Sequence, residues 1–101
     1  MLDLEIDLEK EIVNFLLKEG HIADSQDATL NRFNKPDIIA GINGIYVAME
    51  VKRKNKPARI TKGQIAYLDK VNRTGGIGRR VDKMEDVYEI IKETEKMRVK
   101  V

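Results

Sequence analysis

The dipeptide Asn43-Gly44 stands between two apolar segments, Ile38-Ile39-Ala40 before it and Ile45-Tyr46-Val47-Ala48-Met49 after it. Asn-Gly suits the two positive-φ positions of a tight turn whose twist matches antiparallel strands, so the stretch reads as a β-hairpin. A two-residue turn fixes the register: 42 faces 45, 41 faces 46, and counting back sets Asp37 opposite Glu50. Cross-strand neighbours hold their Cβ atoms about 4.5–5.5 Å apart. Side chains alternate along a strand, so Glu50 and Lys52 share a face and Val51 takes the other. Two carboxylates directly opposed repel unless a proton or a cation lies between them, and a divalent metal is the economical answer. Mg²⁺ takes oxygen ligands, commonly one or two carboxylates with waters and a substrate phosphate. Lys52, one pleat further on, is placed to orient or deprotonate an attacking water, or to stabilise charge developing on a phosphate. The plain alternative makes Asp37 a turn residue after Pro36, and Glu50 and Lys52 part of a solvated strand face. With 36% of the residues charged, an E-x-K triplet arises easily by chance.

Around this hairpin the pattern is mostly helical. Leu8, Ile12, Phe15 and Leu16 recur at helical spacing over 5–19, and Gly20 supplies a stop. Residues 21–35 carry few apolar positions and a polar centre at Asp24-Ser25-Gln26-Asp27, which suggests one short strand and a mobile loop. Beyond a Lys- and Pro-containing loop over 53–60, Thr61 can cap a helix carrying Ile65, Leu68 and Val71, closed by Gly75-Gly76. A strand over 77–81 follows. Asp82, with Glu85 three residues on, resembles a capping pair opening a last helix through Val87, Ile90 and Ile91. The alternation over 97–101 suits a short edge strand or a frayed tail. The order is α-β-β-β-α-β-α, an α+β fold around one mixed central sheet flanked by helices. At 101 residues without an internal repeat, positions 1–101 read as a single domain.

Composition narrows the chemistry. The absence of cysteine removes disulfides and thiolate zinc sites. The lone His21 argues against a His-rich metal site or a Ser-His-Asp triad, leaving oxygen ligands for any metal. The acidic start Met1-Leu2-Asp3-Leu4-Glu5 is unlike a signal or transit peptide, and no apolar run approaches the ~20 residues of a bilayer span, so no membrane role and a cytoplasmic location are expected. Net charge is only +2, but its distribution is uneven. Lys35, Lys52, Arg53, Lys54, Lys56, Arg59 and Lys62 cluster around the hairpin's charged end, while the acidic residues collect in the terminal helices. A charge run is usually just a solvated face; this one flanks the proposed metal, which favours phosphate contacts with DNA. No aromatic platform for stacked single-stranded bases is apparent.

Pro36-Asp37 followed by Glu50-Val51-Lys52 at the end of the next strand resembles the PD-(D/E)XK nuclease signature, and the αβββαβ order resembles that superfamily's restriction-endonuclease-like core. The basic, Pro-containing loop, Gln64 within Thr61-Lys62-Gly63-Gln64-Ile65-Ala66-Tyr67-Leu68, and then Gly75-Gly76 before a strand are similar to the VRR-NUC branch. The resemblance covers roughly residues 5–91 and implies a Mg²⁺- or Mn²⁺-dependent endodeoxyribonuclease. Asp37 and Glu50 would be ligands, the Val51 carbonyl a further one, and Lys52 the catalytic lysine. It further implies a first-helix glutamate in the metal site. Glu9 and Glu5 lie four apart on one helix face; Glu9, set beside Ile12, Val13 and Leu16 as in archaeal Holliday-junction resolvases, is favoured over Glu5. Gln64 is implied to touch the site or the phosphate. Lys35, Arg53, Lys54, Lys56, Arg59 and Lys62 are the DNA-contact candidates. A homodimer acting on branched DNA, especially four-way junctions, is the corresponding partner expectation, with a phage or mobile-element origin. The competing readings are a catalytically idle DNA-binding or assembly module and a nuclease subunit aimed by a partner. Arg79 and Arg80 depart from the family's usually small, apolar last strand, so one must face the sheet's working side or leave the strand early.

Overall fold

The computed structural model describes residues 4–26, 35–51 and 61–98 of the chain. Its elements follow the expected order: α1 (Leu4–Lys18), β1 (Ile22–Ser25), β2 (Ile38–Ile42), β3 (Ile45–Val51), α2 (Lys62–Arg73), β4 (Ile77–Val81) and α3 (Met84–Arg98). The hairpin has the register counted from its turn, with Ile42 against Ile45, Gly41 against Tyr46 and Ile38 against Met49. Asn43 (φ 52°) and Gly44 (φ 82°) both take positive φ, as a tight turn of matching twist requires. β1 pairs antiparallel with β2, and β4 joins parallel to β3, giving a four-stranded sheet in the order β1-β2-β3-β4. A parallel neighbour needs a crossover, and α2 provides it. The fold is α+β, a mixed sheet flanked by helices.

The two sheet faces differ. Ile38, Ala40, Ile42, Val47, Met49, Val51, Ile77 and Val81 pack with Ile12 and Leu16 of α1 and with Val87 and Ile90 of α3 into the main core. Burying each large aliphatic side chain of this set contributes about 1.5–3 kcal/mol. On the other face Ala48 meets Leu68 and Val71 of α2, with Ile39 and Tyr67 at the margin. The helix lies close to the sheet there: a Cβ on Gly78 would run into the Leu68 carbonyl, and one on Gly76 would press on the Val71 side chain as well as run into the Tyr46 carbonyl of β3. Asn72 of α2 also closes the outer edge of β4. Its Nδ2 donates to the Gly78 carbonyl at 3.1 Å, and its Oδ1 accepts the Gly78 N–H at 2.7 Å.

Helix boundaries largely match the reading, with two corrections at the C-terminal end. Gly20 ends α1, and the Leu16 carbonyl accepts the His21 N–H at 2.9 Å. Thr61 caps α2 in a reciprocal box with Gln64. At α3, however, it is the carboxylate of Asp86, not Glu85, that reaches back, accepting the Asp82 N–H at 3.0 Å. The helix begins at Met84, which leaves Glu85 exposed in the first turn. Met97 and Arg98 are helical rather than part of an edge strand. Helix spacing puts Thr94 and Arg98 on one face, and both reach the hairpin turn: Asn43 Nδ2 donates to Thr94 Oγ1 at 3.1 Å, and Arg98 Nη1 donates to Asn43 Oδ1 at 3.2 Å. Positions 99–101 lie outside the described residues, as do 27–34 of the stretch 21–35 in which a short strand and a loop are expected.

Candidate active site

The parallel pair β3–β4 and the hairpin together set the site. Extending the observed register by one pair beyond Ile38–Met49 brings Asp37 opposite Glu50. The same residue pairing continues across β3, where Glu50 is in register with Arg80 of β4. Alternation puts Glu50 on the α2 face, since Met49 and Val51 belong to the core face.

Both carboxylates are anchored. Asp37 Oδ2 accepts the Val51 N–H at 2.8 Å. The Asp37 carbonyl accepts the Gln26 N–H at 2.8 Å, which carries the β1–β2 pairing one step further. Gln64 Nε2 donates to Glu50 Oε2 at 3.2 Å, and Glu50 Oε1 is shielded from solvent. Gln64 therefore serves two ends at once: its Oε1 accepts the Thr61 N–H at 3.0 Å, completing the helix cap, while its amide nitrogen holds Glu50. The capping box explains why this side chain is fixed, and the packing of α2 on Ala48 explains why it lies over β3.

Glu9 reaches the same end of the sheet from α1. Its Oε1 accepts a hydrogen bond from Ser25 Oγ at 3.2 Å, and Ser25 is in register with Ile38, next to Asp37. Sequence reasoning gave Ser25 no part, because a lone serine sixteen residues from Glu9 carries no local signal. Among the described residues no three His, Cys, Asp or Glu side chains gather into a group able to hold a metal by themselves. Asp37 lies one residue beyond the last hairpin pair, Ile38–Met49, and its carboxylate reaches the Val51 amide next to Glu50.

Of the basic residues, Lys35 is exposed just ahead of Pro36-Asp37, and Lys62 is exposed at the first position of α2. Lys52, Arg53, Lys54, Lys56 and Arg59 lie outside the described residues. So does the side chain of Glu5. The two arginines of β4 divide between the faces and neither leaves the strand. Arg79 turns to α3 and forms a bidentate pair with Glu93, at 2.6 and 2.8 Å. That hydrogen-bonded pairing raises the Arg79 pKa and lowers that of Glu93. Arg80 takes the α2 face with Glu50 and is exposed.

No family model matches the chain, and no curated protein matches it. No helix among the described residues is long and apolar enough to cross a membrane.

Proposed function

We propose that this protein is a metal-dependent endodeoxyribonuclease of VRR-NUC type, built on a PD-(D/E)XK core. The observation that carries the reading is the hairpin register, whose next step beyond Ile38–Met49 would be Asp37 and Glu50, with Gln64 of α2 donating to Glu50. Asp37, Glu50 and the carbonyl of Val51 would hold Mg²⁺ or Mn²⁺, with Glu9 as a further ligand. When bound, the ion supplies Lewis-acid stabilisation of charge on the phosphate. Gln64 fixes the rotamer of Glu50, and the Val51 amide fixes that of Asp37. Lys52, two residues on from Glu50 in the sequence, would orient the attacking water and as the neutral amine take its proton, or as the ammonium stabilise the charge on the phosphate, as the water oxygen bonds to phosphorus and the ester oxygen leaves. Lys35 and Lys62, with Arg53, Lys54, Lys56 and Arg59, would bind the phosphate backbone. Branched DNA, especially a four-way junction, is the proposed substrate. A two-fold homodimer would bring two such sites to strands of like geometry for symmetric incision.

One observation favours a second reading. Each carboxylate has a structural task, Asp37 on the Val51 amide and Glu50 on Gln64, and a catalytically idle DNA-binding module would keep both. Cleavage of linear, flapped, nicked and four-way DNA with and without Mn²⁺, by the wild-type chain and Lys52→Ala, decides between them. Metal-dependent cutting that disappears in Lys52→Ala with unchanged thermal unfolding is the expected result. Binding without cutting under every condition supports the idle module, and wild-type turnover in Lys52→Ala removes the catalytic lysine.

A further inference from the structure

We infer that Arg80 is a phosphate contact of this site, holding the phosphate next to the one that is cut. The inference rests on the nuclease reading and adds to it a residue outside the hairpin. Three observations on β4 carry it. First, Arg80 is in register with Glu50 on the adjacent parallel strand, so both side chains leave the sheet on the α2 face. Second, its neighbour Arg79 is spent on Glu93 on the opposite face, whereas Arg80 is exposed and makes no ion pair or hydrogen bond among the described residues. Third, Arg80 stands where two open grooves meet. One, of about 380 Å³, runs between α2 and β4 past Ile65, Leu68 and Gly78; the other, of about 250 Å³, lies beyond the strand end beside Val81 and Asp82.

The glycines make this placement possible. Gly76 and Gly78 let α2 settle on the sheet, and the first large side chain on that face of β4 is Arg80, two residues beyond the contact with Leu68. Neighbouring strands are about 4.8 Å apart, so Arg80 stands one strand from Glu50 and two from Asp37, beyond the carboxylate pair rather than between its members. A guanidinium there faces a phosphate flanking the reacting one and offers it two parallel donors. Asp69 lines the first groove and Asp82 and Asp86 the second, and Arg80 is the cation common to both. Asp86 is in addition tied to the Asp82 amide.

The test is binding of a fluorescent four-way junction and a linear duplex in metal-free buffer over a range of salt, followed by steady-state cleavage with Mn²⁺. Arg80→Gln, Arg80→Lys and the remote control Arg73→Gln are compared with the wild-type chain after thermal unfolding has shown each to be folded. Arg80→Gln is expected to lower the slope of log K against log salt by about 0.9, the release of one counterion contact. It should weaken binding and raise KM by about tenfold, as loss of a charged hydrogen bond does, with kcat within about twofold of wild type. Arg80→Lys is expected to keep the slope, since the charge remains, while losing part of the affinity. An unchanged slope and KM in Arg80→Gln, an equal loss in Arg73→Gln, or a fall in kcat at constant KM each overturns the assignment and leaves the nuclease reading standing. A wild-type chain that neither binds nor cuts DNA overturns both.

Discussion

The carboxylate of Asp37 accepts the backbone N–H of Val51 at 2.8 Å, so the first acid of the proposed site also secures the end of the strand that carries the second. Residue 51 is 14 positions away along the chain, and the hairpin alone brings the two together. One carboxylate oxygen is thereby oriented by the backbone.

This dual role separates two substitutions at Asp37. Asp37→Asn keeps an oxygen able to accept the Val51 N–H, so thermal stability should stay close to wild type while metal binding and cleavage are lost. Asp37→Ala leaves that amide without its acceptor and should cost about 1–3 kcal/mol as well. Thermal unfolding with calorimetric titration of Mn²⁺ reads both. An alanine variant as stable as the asparagine variant would show that the bond contributes nothing.

Gln64 links helix capping to the site. Gln64→Ala is expected to lose about 0.5–2 kcal/mol through the opened capping box, and to reduce cleavage because Glu50 loses its amide donor. Gln64→Glu keeps an N3 acceptor for the Thr61 N–H but sets a carboxylate against Glu50. Its stability should therefore recover relative to wild type as the pH is lowered and one of the pair takes a proton. Chemical denaturation across pH measures this, and a deficit independent of pH would rule out the repulsion.

Glu9→Gln should reduce cleavage far more than Glu5→Gln, since Glu9 is the helix acid held beside the end of β1 by Ser25. Ser25→Ala should show a smaller loss in the same direction. Neither change removes an apolar core group, so melting temperatures should move little. The opposite ranking in cleavage rates would transfer the role to Glu5.

The Arg79–Glu93 pair predicts an acid-sensitive part of the stability. Its hydrogen-bonded arginine holds the Glu93 pKa below the ordinary 4.5, so the contribution is fully present above that value and is lost as pH falls through the folded pKa. The side chains are 37% and 43% exposed, and solvent screening keeps the contribution below about 1 kcal/mol. Glu93→Gln should lower stability modestly at neutral pH and converge with wild type as the pH falls through the lowered folded pKa of Glu93. Two parallel unfolding curves across this range would contradict it.

On the α2 face the hydroxyls of Tyr46 and Tyr67 lie 2.8 Å apart. Burial and this hydrogen bond push the Tyr46 pKa up from 10.0 to about 12. The resulting stability is complete below pH 10.0 and disappears as pH rises toward about 12. An ultraviolet titration should therefore show one late-ionising tyrosine, which Tyr67→Phe moves back toward 10. Uniform ionisation of the wild-type tyrosines near 10 would exclude the pairing.

Much of the architecture was legible where local chemistry and periodicity agree. Asn43-Gly44 sets the hairpin register, Thr61 and Gln64 define the start of α2, and Gly20 marks the end of α1. The start of α3 was misread because Asp82 is followed by acids at both 85 and 86, and only the helix phase decides which one returns to the Asp82 amide. Met97 and Arg98 were not legible as helix because alternation over five residues is weak; Thr94 and Arg98 of α3 are tied to Asn43, a residue of the distant turn.

Sequence by itself determined the hairpin register from Ile42–Ile45 to Ile38–Met49, because a two-residue turn and a period of two leave no freedom in counting. It also determined the order of elements. Only the tertiary structure decided the partners that hold those donors: Val51 for Asp37, Gln64 for Glu50 and Ser25 for Glu9. It alone sent Arg79 to α3 and Arg80 to the side of Glu50. The reason is physical. Strand pairing and turn geometry are local rules written in adjacent residues, whereas the β3–β4 register and the seat of α2 arise from packing across the sheet, where Gly76 and Gly78 admit the helix and no local pattern records it.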